Sequence, residues 1–431
     1  MPSGTIDSLY EKFLESSGIC TDSRKVTVNS IFFALKGDKY DANSFAAEAL
    51  ERGAGKAVID DPAYRDIPGT VMVDDCLACL QALARHHRQQ LHIPVIGLSG
   101  SNGKTTTKEL IRSVLASKYT VFSTSGNLNN HIGVPLSILS IRPETEIAVI
   151  EMGANRIGDI ALLCSIAQPS HGFLTNIGKA HIGYFGGIDG VIRGKSELYD
   201  FLIKTDGTVF INRHQHILMN MAHRFSAPLF YPEPGDFYHC RFLDADPYVR
   251  LTTESGAVLE TRLIGKYNYD NIATALCIGK YFGIDPGSAE AAISAYRPDM
   301  NRSQVERKGR HLLILDAYNA NPSSMELAIE SLQEMGPGPK VAVLGDMYEL
   351  GDTSQEEHRR IGDLLSSSNI ETVILCGELM EDAADACPRA LYFPTKTQLC
   401  RFLKTNRLEP STILIKASRG MALEEVAECI E

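Results

Sequence analysis

The segment Pro94-Val-Ile-Gly-Leu-Ser-Gly-Ser-Asn-Gly-Lys-Thr-Thr-Thr-Lys108 constrains this chain more than any other stretch. An apolar, β-rich run enters a glycine-rich turn, and a helical pattern leaves it. Gly100 and Gly103 admit positive φ and let backbone N–H groups approach phosphate oxygens closely. A helix beginning near Lys104 would aim its positive dipole end at the same point. Gly100, Ser101, Asn102, Gly103, Lys104, Thr105 and Thr106 thus form a candidate cradle for nucleotide phosphates. Lys104 would reach the β- and γ-phosphates, and the Thr105 hydroxyl a magnesium ion. Longer loops of this kind carry a glycine where Leu98 stands, so the match is to the shorter Gly-x-x-Gly-Lys-Thr-Thr. A tight strand–helix turn with a solvated lysine is the plain alternative, but strand, glycines, Lys-Thr and helix all agree.

A strand–loop–helix of this type belongs in a parallel sheet, and the rest of the chain has the same rhythm. Strands are expected at 94–98, 120–122, 146–151, 172–175 and 208–211, with helices between them. Three alternating runs at 237–243, 248–253 and 257–263 read as antiparallel strands, followed by a helix over 268–282. From about residue 295 onward, strands at 311–317, 340–345, 371–377, 390–393 and 412–417 alternate with helices at 324–335, 354–367, 379–386 and 398–406. A smaller α/β unit precedes all of this. It has strands near 30–34, 57–59 and 70–73, a helix at 44–52, and a helix from 75 to about 90 that bridges into the middle. The fold class is therefore α/β in three domains. A ligand-binding unit spans 1–82, a central phosphate-loop sheet with added β strands 83–295, and a C-terminal Rossmann-like domain 296–431. The 431 residues are about two to three times a typical domain, which agrees.

Composition narrows the function classes. A net charge of −11 argues against broad binding to nucleic acid or to anionic membranes, though not against small anions held locally. Ten scattered cysteines suit a reducing cytosol, hence a cytoplasmic location. Neither a signal-peptide core in Met1–Cys20 nor an apolar run of about 18 residues is legible, so no stable membrane insertion is expected.

Two further strand ends carry polar residues on the side where ligands of such sheets bind. One strand ends on Glu151, in Glu-Met-Gly-Ala-Asn155; another leads through Asn176 to His181. Glu151 and His181 would join Thr105 around magnesium, or around manganese, which the histidine suits equally. Taken singly, Glu151 reads as well as a helix-capping carboxylate and His181 as a loop histidine.

Together, Gly-Ser-Asn-Gly-Lys-Thr-Thr, Glu-Met-Gly-Ala-Asn, the Asn176–Phe185 stretch and Gly194-Lys-Ser-Glu-Leu198 resemble the Mur ligases and stand in the same order. These are ATP-dependent amide-forming enzymes of peptidoglycan precursor synthesis, related to folylpolyglutamate synthase. The resemblance implies that Lys195 is carbamylated by CO2 and helps hold a second magnesium ion, making Lys104, Lys195 and His181 the catalytic set. It further implies that Asn271, in a Gly265–Ala275 helix start, bonds the adenine. Asn268 reads as well as a helix cap. Arg302 would meet the ATP phosphates and Asp316 the ribose hydroxyls. Because these come from another domain than the loop, the ATP site would be complete only on domain closure.

Asp316-Ala-Tyr-Asn-Ala-Asn-Pro and Gly345-Asp-Met-Tyr-Glu-Leu-Gly351 resemble the member of the family that adds a dipeptide. The implied substrates are UDP-N-acetylmuramoyl-tripeptide and D-alanyl-D-alanine, joined through an acyl phosphate by a monomeric enzyme. Thr21-Asp-Ser-Arg24 resembles a uridine-binding segment, so Ser23 and Arg24 are implied at the UDP end. Asn127, Asn130 and Asn155 are implied on sugar and peptide, and Ser418, after the last strand, on the incoming dipeptide. Two alternatives stay open, a ligase adding a single amino acid or another amine and an ATP-hydrolysing regulator. Cys76 and Cys79 with His86 and His87 are not read as a zinc site, because no second pair lies at suitable spacing. His214, His216 and His223 read as ordinary helix or loop positions, and His358 receives no role.

Overall fold

The computed structural model describes residues 3–37, 40–179, 182–299 and 301–430. Strand Val95–Ser99 lies in the interior of a six-stranded parallel sheet. The strand order is 229–231, 208–212, 171–174, 95–99, 147–151 and 121–123. Every residue of Val95–Ser99 and of Ile147–Glu151 is buried, as expected for parallel strands covered on both faces. The sequence order reverses around Val95–Ser99, which puts the phosphate loop at the switch point where such sheets bind ligands.

Helices cover each face. Cys76–Gln90, Asp159–Ala167 and Ile188–Lys204 pack on one side. Lys104–Leu115, Tyr267–Tyr281 and the three-stranded antiparallel sheet Arg241–Ala245, Tyr248–Thr252 and Val258–Ile264 cover the other. The first expected antiparallel strand, over 237–243, starts only at Arg241. Before it, Tyr238 and Cys240 donate their amides to the Phe230 and Pro232 carbonyls instead of entering the sheet.

Four short parallel strands, Ile19–Cys20, Ile31–Phe33, Lys56–Ile59 and Thr70–Met72, make the N-terminal sheet. Its apolar core is continuous with one face of the central sheet through helix Cys76–Gln90. That helix runs across position 82. Arg88 donates to the Ala167 and Gln168 carbonyls at 2.9 and 3.1 Å, and His87 meets Tyr10 and the Ile141 carbonyl. With Cys76 and Cys79 buried in the same core, this cluster is packing.

The C-terminal sheet has the order 304–308, 311–315, 412–416, 340–345, 372–376 and 391–393. Only Gln304–Lys308 is antiparallel. None of its residues is buried, three of the five are charged, and they carry no apolar run, which is why pattern reading passes over this edge strand. Helix Ser3–Leu14, helix Pro286–Ala295 and strand Leu229–Tyr231 are likewise absent from the pattern reading. Among the described residues no helix is long and apolar enough to cross a membrane.

Candidate active site

Glycine is required at two loop positions. Gly100 has φ +142°, and a Cβ there would lie 2.0 Å from Thr175 Oγ1. Gly103, with φ +77° at the cap of helix Lys104–Leu115, would press a Cβ to 2.7 Å from Asn271 Oδ1. The next strand holds the loop open. Asn102 receives Thr175 Oγ1 and Asn176 Nδ2 on its carbonyl, while its amide donates to Asn176 Oδ1 at 3.0 Å. Ser101 is fixed by Gly178 through bonds of 3.0 and 2.9 Å.

Lys104 is folded back on the loop, its Nζ donating to the Gly100 and Ser101 carbonyls at 2.7 and 3.2 Å. Burial lowers its pKa, the Glu151 carboxylate opposes that shift, and the charge of Arg302 adds to it. Two cations facing one spot make it a place for an anion. Arg302 stacks on Tyr318 with its Cζ 3.4 Å from the ring centroid, and its buried Nε has no hydrogen-bond partner. The residues at 301 and 303 hold left-handed conformations, with φ +55° and +52°, so the backbone bends sharply on either side of Arg302.

Thr105 Oγ1 donates to Glu151 Oε2 at 2.9 Å, and Asn129 Nδ2 donates to Glu151 Oε1 at 2.8 Å. Lys108, fully buried, bonds the Thr124 carbonyl and sits 4.0 Å from Glu151 Oε2. Glu151 and Thr105 line the cleft, and this oxygen pair suits a hard divalent cation. His181, expected beside them, lies outside the described residues. Among the described residues no cluster of three or more His, Cys, Asp or Glu stands ready as a metal site.

Helix Ile188–Lys204 sends Lys195 inward, at 1% exposure. Glu197, two residues on, accepts the Gly158 and Ala161 amides at 2.6 and 2.8 Å and ties that helix to its neighbour. Lys195 Nζ lies 3.5 Å from the Ala154 carbonyl and 5.7 Å from the Phe185 ring centroid. Burial drives its pKa well below the ordinary lysine value; the charge of Lys104 adds to this and Asp159 opposes it.

A cleft of about 450 Å³ is lined by Lys104, Thr105, Glu151 and Arg302, whereas Lys195 lies off its lining. Asn271 donates to Asn268 Oδ1 at 2.8 Å and accepts Thr107 Oγ1 at 3.0 Å on its wall. Asp316 enters from the C-terminal sheet, and Asn127, Asn130, Asn155 and Thr106 also line it. The Asn130 side chain is spent on the Ile132 and Gly133 amides, and Asn155 donates its own amide to Asp159. The two domains meet over the cleft. Asn321 Nδ2 donates to Asn102 Oδ1 at 2.8 Å, and the Lys179 amide to Ser323 Oγ at 3.0 Å.

Some expected residues fall elsewhere. Ser418 is buried off the cleft wall, accepting the Tyr348 amide at 2.8 Å and donating to the Ala320 carbonyl, so its hydroxyl is engaged inside the C-terminal domain. Ser23 and Arg24 sit on a short turn of the N-terminal unit, with Arg24 exposed and paired to Asp22 at 2.9 Å. His358 is buried, accepting the Met347 amide on Nε2 and donating from Nδ1 to the Ser354 carbonyl, a purely structural bridge. His214, expected to be ordinary, lies between Asp270 and Glu233 at 2.9 and 2.8 Å, and those bonds raise its pKa to about 9.

Pattern reading passes over Asn129, Tyr318 and Asn321, and marks Lys416 only as part of the segment 416–419 that ends the last strand and faces substrate. The first lies in the asparagine loop from which 127 and 130 were chosen by resemblance. The next two flank Asn319 in the segment already marked by Asp316. Lys416 lies two residues before Ser418. Their neighbours carried the signal, but which member of each segment faces the cleft depends on tertiary geometry.

A phosphate cradle on one parallel sheet, closed over by polar residues from a second, defines a nucleotide-dependent enzyme of two cooperating α/β domains. The chain belongs to the Mur ligase family: residues 98–279 match the Mur ligase middle domain, and residues 301–419 match the family's C-terminal, glutamate ligase domain. Along its length it is 35% identical to the UDP-N-acetylmuramoyl-tripeptide–D-alanyl-D-alanine ligase of Bacillus subtilis (strain 168), covering 99% of this chain and 96% of that one. Among solved structures it resembles MurF from Acinetobacter baumannii, with TM-score 0.88, 30% identity and 97% of each chain covered. MurF ligase from Thermotoga maritima in complex with ADP superposes with TM-score 0.86 at 29% identity, again over 97% of each chain.

Proposed function

We propose that this chain is the ATP-dependent ligase that joins D-alanyl-D-alanine to the terminal carboxylate of UDP-N-acetylmuramoyl-tripeptide. The observation that carries this reading is the full-length similarity to ligases of that name, on a chain whose cleft gathers Lys104, Thr105, Glu151, Asn271, Arg302 and Asp316. The tripeptide carboxylate attacks the γ-phosphorus of ATP, the bond to the β-phosphate oxygen breaks, and ADP leaves. The dipeptide amine then attacks the acyl phosphate carbon, loses a proton, and phosphate departs.

Lys104, once it leaves the loop carbonyls for the phosphates, and Arg302 offset charge on the transferring group. Asn271 and Asp316 take the adenosine end. Ser23 and Arg24 take the UDP end, and Asn127, Asn130 and Asn155 the sugar and peptide between. Thr105 and Glu151, with His181 and a carbamate on Lys195, would hold magnesium, which supplies charge neutralisation at the phosphates. A deeply buried lysine whose neutral amine is favoured suits addition to CO2. Ten free cysteines suit work in the cytosol.

Oxygen-18 in the tripeptide's terminal carboxylate tests the route. Transfer of one labelled oxygen to the released phosphate is expected, and phosphate free of label would contradict an acyl phosphate.

A further inference from the structure

Lys416 ends strand Thr412–Lys416, is buried at 2% exposure, and stands on the wall of the nucleotide cleft. Its Nζ donates to Asp316 Oδ2 at 2.6 Å and to the Asn319 carbonyl at 3.2 Å. The other carboxylate oxygen, Oδ1, accepts the Ser303 amide at 3.0 Å and its hydroxyl at 3.3 Å. Asp316 is therefore gripped from two directions, by the neighbouring strand and by the linker that carries Arg302. The pairing of Leu315 with Ile415 in parallel strands brings residues 316 and 416 off the sheet side by side, at its carboxyl end.

We infer that Lys416 is a positioning residue for the nucleotide ribose. It keeps the Asp316 carboxylate aimed, so that acceptor capacity left on it meets the sugar hydroxyls. The inference rests on the proposed contact between Asp316 and the ribose. A carboxylate offers about four lone-pair directions, and Lys416 with the two Ser303 donors takes three of them. An ammonium is costly to bury unless paired, and this pair borders the ligand cleft rather than the hydrophobic core. Without Lys416, the carboxylate would keep only its linker contacts and could turn away from the sugar.

The test compares ATP with 2′,3′-dideoxy-ATP in steady-state ligation by the full-length enzyme. The wild type should prefer ATP by about 10-fold or more in kcat/KM, because a site built to bond a hydroxyl penalises its loss. Lys416→Met should lose most of that preference: KM for ATP rises about 10-fold, while kcat and the dideoxy nucleotide's KM move less than about 3-fold. Lys416→Arg should keep part of it.

A merely structural lysine would weaken both nucleotides equally, and that result would overturn the proposal. Asp316→Asn separates the two layers. If it abolishes the preference while Lys416→Met retains it, the role of Lys416 fails and the ribose contact stands. If Asp316→Asn leaves the preference intact, or the wild type shows none, the ribose contact itself fails. Should Lys416→Met not fold, Lys416→Arg decides, since an unchanged preference there would also overturn the proposal.

Discussion

Lys179 and Glu357 form an ion pair at 2.5 Å between the central domain and the first turn of a C-terminal helix. The bond from Asn321 to Asn102 lies in the same seam, so the phosphate loop is linked directly to the domain that supplies Arg302 and Asp316. Glu357→Gln should loosen this closure. An ion pair with one partner partly exposed is worth about 1 kcal/mol, or about 5-fold in the closed population. The variant should show a larger radius of gyration in small-angle scattering and a KM for ATP raised several-fold, with an unchanged melting profile of the separate domains.

The Thr105–Glu151 contact places a hard oxygen pair at the loop. Glu151→Gln keeps the shape but removes the charge. It should lower kcat by about 100-fold or more at moderate magnesium, as expected when a metal that neutralises phosphate charge is weakened. Activity against magnesium concentration should show a shifted midpoint rather than only a lower plateau.

Tyr318 lies flat beneath the Arg302 guanidinium. A cation–π contact of this kind is worth about 1 kcal/mol, so Tyr318→Leu should raise KM for ATP by about 5-fold. Tyr318→Phe retains the ring and should stay within about 2-fold of wild type. Both constants come from the same ATP titration.

His214 gives a stability signature. Its pKa is raised to about 9 first by the bond to Asp270, then by the bond to Glu233, against a desolvation that lowers it. A folded-state value above the unfolded one stabilises fully below about pH 6.5, and the gain is lost as pH climbs through about 9. Screening at this partly exposed site limits the effect to about 1 kcal/mol. Between pH 7 and pH 10, urea midpoints of the wild type should therefore fall further than those of His214→Gln.

The repeating strand–helix pattern was legible because parallel strands are buried on both faces and read as unbroken apolar runs, as in Ile147–Glu151. Gln304–Lys308 is an edge strand of charged residues that owes its existence to pairing with His311–Leu315, and no local signal marks it. The phosphate loop was legible because its constraints are local: positive φ, a strand before, a helix after. Ser418 shows the opposite case. Its hydroxyl bridges segments 70 and 98 residues away, and no spacing rule could place it inside the domain rather than on the cleft. Lys195 was found only by resemblance, since its burial follows from the packing of a whole helix.

The central claim is most directly tested by incubating the enzyme with ATP, magnesium, bicarbonate, UDP-N-acetylmuramoyl-tripeptide and D-alanyl-D-alanine. Nucleotide-linked products are then resolved by mass spectrometry. The account predicts one tripeptide–dipeptide conjugate formed per ADP and per phosphate, with single D-alanine a far poorer acceptor. ATP hydrolysis without conjugate, or preferred ligation of a single amino acid, would contradict it.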